Sequence, residues 1–154
     1  MTVSAEVSPK WLLEPEFADK VHGIVVEVKA SFGSSGWHNG DYEGKQGVVL
    51  SLFNTGNDTF DSTARVRFDD PIDVLQPILA VPVQFLVPVH PENKGEDVLV
   101  LAGSSKGQLA RVEAVESRSL MVVTTRLSFL VIDTTPERLA RVIEVDEVGN
   151  KKGR

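Results

Sequence analysis

Residues 103–107, Gly103-Ser104-Ser105-Lys106-Gly107, match the Gly-x-Ser-x-Gly pattern of a nucleophile elbow. That chemistry needs a strand, a sharp turn and a helix, followed along the chain by an acid and then a histidine to take the serine proton. The last histidine is His90, before the serine, so the order is wrong. The same stretch lacks the Gly-x-x-x-x-Gly-Lys-Ser/Thr spacing of a phosphate-binding loop. His22, His38 and His90 are dispersed, and the chain has no cysteine, so no set of metal ligands forms at the usual spacings. Asp69, Asp70 and Asp73 flank Pro71. Paired carboxylates do acid and base work only in a cleft that raises one pKa, whereas this spacing reads as a solvated turn. No enzyme, catalytic residue, metal or cofactor is expected.

Recognition chemistry is better represented. Residues 29–45 carry Phe32, Trp37, His38 and Tyr42 in a glycine-rich stretch that ends at Lys45. Aromatic side chains strung along such a loop either cap a small core or meet a partner. On the second reading Phe32, Trp37, His38, Tyr42 and Lys45 form a protein-binding surface. A methyl-lysine cage is one version of it, because cation-π capture needs two or three rings around one cation.

Charge decides how nucleic acid is viewed. The net charge is -6, and residues 1–90 hold 6 basic against 12 acidic side chains, whereas residues 91–154 hold 10 of each. Phosphate binding depends on several cations releasing counterions, so the first part should repel RNA and DNA. In the second, Lys106, Arg111, Arg118 and Arg126 are the candidates for a basic face, against the plainer reading of solvated charges paired with acids. RNA is therefore a secondary partner at most. The sequence ends in Lys151-Lys152-Gly153-Arg154, a minimal nuclear-import pattern. No apolar run approaches a membrane span, and the first twenty residues lack the basic and unbroken apolar regions of a secretory signal. A nuclear or otherwise cytoplasmic, monomeric protein is expected.

The elements that would hold these residues are strands. The chain has 24 valines against 9 alanines, and β-branched side chains suit a pleated sheet better than a helix. A turn-rich segment at 88–95 splits the sequence near residue 92. The two parts read as copies: an offset of 63 carries Gly44 to Gly107, Gly47 to Ala110, Val49 to Val112 and Leu52 to Val115. Short strands are expected at 24–28, 47–53, 64–68 and 72–75 in the first copy, and at 98–101, 110–115, 120–125 and 128–132 in the second. Each copy then closes with a further segment, from Pro82 and from Pro136. Thr135-Pro136 also makes a good helix start, either for one short turn or for a terminal helix reaching about Val148. The expected architecture is mostly β: two tandem SH3-like barrels of five strands each, over 21–90 and 94–145. An amino-terminal extension covers 1–20 and a basic tail 146–154. Gly44, Gly47, Gly103 and Gly107 are assigned to structural turns.

The stretch from Lys94-Gly95-Glu96-Asp97 through Val98-Leu99-Val100-Leu101 to Lys106-Gly107 resembles a KOW motif, with an alternating valine strand, a turn glycine and a Lys-Gly pair. Ala110 stands where that family usually has a second glycine. The order of the two copies, over about residues 11–143, is similar to the carboxy-terminal KOW pair of the NusG-related eukaryotic elongation factor, the DSIF large subunit. This resemblance implies a non-enzymatic module docking on RNA polymerase or its elongation factors. The alternatives are a Tudor-like reader of methylated or proline-rich chromatin peptides, and a ribosome- or RNA-associated KOW protein, which a pI near 5.1 opposes.

Overall fold

The computed structural model describes residues 11–29, 40–54, 62–146 and 150. Strands β1 (Val25–Val28), β2 (Gln46–Asn54), β3 (Ser62–Phe68), β4 (Ile78–Pro82) and β5 (Leu86–Pro88) form one sheet in the order β4-β3-β2-β1-β5. Strands β6 (Asp97–Val100), β7 (Leu109–Ser117), β8 (Leu120–Thr125), β9 (Val131–Thr134) and β10 (Leu139–Arg141) form a second in the order β10-β6-β7-β8-β9. All pairings are antiparallel and the topologies are the same. The chain is a tandem of two small five-stranded, SH3-like barrels.

Alternation builds the strands. In β3, Ser62, Ala64, Val66 and Phe68 are buried while Thr63, Arg65 and Arg67 turn outward, and β8 buries Met121, Val123 and Thr125 in the same way. The offset of 63 holds in three dimensions. It carries β2 onto β7 at both ends and places a register shift at Val49/Ser51 and again at Val112/Ala114. It also carries one turn onto the other: Gly44 N–H donates to Val28 O at 2.8 Å, and Gly107 N–H to Val100 O at 2.8 Å. Both glycines have positive φ, 82° and 88°, which explains why the residue type repeats there.

Two expectations need correction. Residues 72–75 are a turn, because Pro71 and Pro77 flank them and Asp73 Oδ1 accepts the Leu75 N–H at 2.9 Å; the fourth strand begins at Ile78. Gly47 is no turn residue but lies in β2, where a Cβ would come 2.5 Å from the Arg67 carbonyl oxygen of β3. At Pro136 the short-turn reading holds: a single 3₁₀ turn (Pro136–Arg138) leads straight into β10, and the competing terminal helix does not form. Residues 11–17, within the amino-terminal extension, pack into the core. Two 3₁₀ turns, Trp11–Leu13 and Pro15–Phe17, send Trp11, Leu12 and Phe17 into the main core beside Leu99 and Ala140 of the second sheet. The basic tail is described only at Asp146 and Asn150; the rest of it lies outside the described residues.

That core joins the barrels. Trp11 Nε1–H donates to Leu86 O at 2.9 Å. Arg141 N–H donates to Val89 O at 2.8 Å, Ile143 N–H to Gly23 O at 2.9 Å, and Ile24 bridges Val142. His22 continues the seam, with Nδ1 2.9 Å from Leu50 O and Nε2 3.1 Å from Val145 O.

Two stability tests follow from this packing. Leu12→Ala, at a fully buried site, should cost about 2–5 kcal/mol in denaturant unfolding; a loss below 0.5 kcal/mol, on the order of a surface substitution, would contradict the place of the amino-terminal segment in the core. Gly47→Ala should cost more than Gly44→Ala. The first forces backbone apart, roughly 1–3 kcal/mol, whereas a Cβ at Gly44 meets open space and pays only for its positive φ, about 1–2 kcal/mol.

Candidate peptide-binding groove

A groove of about 710 Å³ lies where the two barrels meet. One wall is β1 and the chain leaving β5, with Glu27, Val87 and Pro88; the other is the β7–β8 hairpin, with Val115, Arg118 and Met121. The linker residues His90, Pro91 and Glu92 also line it. Pro88 is the last residue of β5 and pairs with Val26, and Val89 N–H still donates to Val25 O at 3.0 Å; the chain leaves the sheet beyond it, toward Pro91, which has no N–H to offer.

Local hydrogen bonds hold the polar groups of this wall. His90 Nδ1 lies 2.8 Å from the carbonyl oxygen of Leu139, which can only accept, so Nδ1 is assigned the proton. Gln46 Nε2 donates to Glu27 Oε1 at 3.2 Å. Glu96 Oε2 accepts the backbone N–H groups of Glu92 and Asn93 at 2.8 and 3.1 Å, which ties down the linker. The result is a groove lined by valine, proline and methionine with two carboxylates, Glu27 and Glu92, and one guanidinium, Arg118, a composition suited to an extended segment carrying positive charge.

The residues expected from sequence to bind a partner are placed differently. Phe32, Trp37 and His38 lie outside the described residues. Tyr42 is 5% exposed and its ring tilts against Phe68 at 4.8 Å, so this aromatic caps the first barrel. Lys45 Nζ reaches the β3–β4 turn, donating to Asp70 O at 2.9 Å and pairing with Asp70 Oδ2 at 3.2 Å. The four basic candidates go to three places. Arg111 and Arg126 both pair with Asp97 Oδ1, at 3.3 and 3.0 Å. Lys106 pairs with Glu14 at 3.2 Å and lies 5.9 Å from the centre of the Phe17 ring, within the seam. Arg118 stands on the groove wall.

The serine motif is a strand-turn-strand unit between β6 and β7, with Gly103 and Gly107 at positive φ and Ser105 buried. His22 and His90 are committed to backbone carbonyls. Among the described residues no three His, Asp or Glu side chains gather as a metal site, and no helix is long and apolar enough to cross a membrane. The groove itself escaped the sequence reading. Its signals were the prolines at 88, 91 and 136, but nothing in their spacing says that the β7–β8 hairpin faces them.

No family model matches this chain, and no curated protein does. Solved structures do match. The SAWADEE domain of SHH1 in complex with an H3K9me3 peptide is 17% identical, with 77% of this chain and 96% of that chain covered and a TM-score of 0.31. The AGD34 segment of Arabidopsis thaliana AGDP1 is 12% identical, with 93% and 94% covered and a TM-score of 0.33. The tandem Agenet domain 3-4 of ADCP1 is 13% identical, with 97% and 96% covered and a TM-score of 0.33. At such scores the ligands of those proteins carry no argument about this one.

The pairing of Arg111 and Arg126 sets an expectation for RNA. The wild-type protein should bind single-stranded RNA negligibly at physiological ionic strength. Asp97→Ala, which frees two guanidinium groups, should raise affinity and steepen the log–log salt slope by about 1.4. Filter binding across a salt series measures both.

Proposed function

We propose that this chain is a non-enzymatic module that binds an extended basic segment of a chromatin protein across the groove between its barrels. The observation that carries the reading is the groove itself, lined by valine, proline and methionine with Glu27 and Glu92 against the one guanidinium of Arg118, and held by hydrogen bonds on its linker side. The protein's net charge of -6 adds attraction for a cationic partner. Phe32 and Trp37 stay candidates, on sequence grounds, for contacts to a methylated or proline-rich part of the same segment. A chromatin partner implies a nuclear protein, in keeping with the basic residues at 151–154. No described residue favours docking on RNA polymerase or elongation factors over this reading. The KOW resemblance is therefore carried no further than the small barrel and its glycine turn.

Titration of isotopically labelled protein with histone-tail peptides tests the proposal by NMR. Methyl resonances of Val115 and Met121 should shift, and the Trp37 indole should move with them if the aromatic loop takes part. The Trp11 indole, buried and bonded to Leu86, serves as the unmoved internal reference. If no groove resonance responds to any peptide, the reading is wrong.

A further inference from the structure

We infer that the groove takes an unmodified lysine side chain, and that methylation of that lysine weakens binding. The inference rests on the groove reading above and adds the chemical state of the residue that is read. Apart from the imidazole of His90, no aromatic ring lines the groove among the described residues. A trimethylammonium group has no N–H and is recognised through aromatic faces; set against carboxylates, it would displace their water without returning a hydrogen bond.

The acceptors suit a primary ammonium instead. His90 turns its Nδ1 to Leu139 O, so Nε2 is the ring nitrogen left to the groove. Glu27 has one oxygen engaged by the Gln46 amide and a second oxygen to offer. Glu92 uses its backbone N–H, not its carboxylate, to hold the linker. Glu27 and Glu92 thus offer two separate carboxylates along the groove. An ammonium carries three rotatable donors that can reach separate points, whereas a guanidinium is best matched by an undivided carboxylate fork, which Glu27 no longer presents. The four-carbon stem of lysine would lie along the accessible side chains of Val87 and Val115. Arg118, on the opposite wall, remains available for backbone carbonyls or an acid of the same segment.

The test is a positional peptide library built around one fixed residue, presented as lysine, trimethyl-lysine, arginine or norleucine. Binding is read by fluorescence anisotropy and located by the Val115 and Met121 methyl resonances. Lysine should exceed trimethyl-lysine and norleucine by roughly tenfold or more, the scale of one lost charge-assisted hydrogen bond. That preference should collapse in a Glu27→Gln, Glu92→Gln double variant whose unfolding midpoint matches wild type. Equal or tighter binding of trimethyl-lysine, with groove resonances shifting, overturns the inference and leaves the groove reading standing. Binding that moves no groove resonance, or no binding by any library member, overturns the groove reading as well. If the double variant loses stability, the single Glu92→Gln substitution at an exposed position gives the same comparison.

Discussion

The barrels depend on the seam between them, where backbone groups and apolar side chains from distant parts of the chain close on one another. A five-stranded unit of this size buries little surface alone and is marginally stable. Here Trp11, Leu12 and Phe17 enter a core that also holds Leu99 and Ala140 of the second sheet. Full burial of such side chains is worth about 1.5–3 kcal/mol each. The indole bond to Leu86 and the backbone bonds from Arg141 and Ile143 set the relative placement of the two sheets, since each is directional. The groove exists only because that placement is held.

Gly107 shows how local and global demands coincide in one residue. Its φ of 88° is required by the turn into β7, as Gly44 is required by the turn into β2. Yet a Cβ at Gly107 would also come 2.9 Å from the carbonyl oxygen of Glu16, whereas one at Gly44 would touch nothing. The neighbouring Lys106 pairs with Glu14 and sits over Phe17. A Lys-Gly pair that resembles a family signature thus also anchors the amino-terminal segment, and its charge is not offered to nucleic acid.

Much of the fold was legible because strand formation is local and periodic. The alternation in 64–68 and 120–125, and the glycine spacing that repeats at 63, needed no knowledge of partners. The failures were equally local in cause. At 72–75 hydrophobic residues counted as a strand although an aspartate-capped turn between two prolines claims them. At Gly47 a glycine read as a turn answers instead to a neighbouring strand's backbone. The site was less legible than the fold. Tyr42 could be read as a cap or as a contact residue, and only Phe68, 26 positions away, makes it a cap. Arg111 and Arg126 were readable as paired charges or as a basic face, but nothing in the sequence named Asp97 as the partner of both.

The sequence by itself determined that this is a valine-built tandem of small barrels, acidic in its first 90 residues and neutral beyond, with glycine turns at matching places. Those properties follow from side-chain branching, backbone sterics and counted charge, all of which act over a few residues. Only the tertiary structure decided which cations are spent, which aromatic is core, and that Glu27, His90 and Glu92 share a groove with Met121. Those outcomes rest on contacts between residues far apart in the chain, and a hydrogen bond or a buried ring exists only once both of its partners are in place.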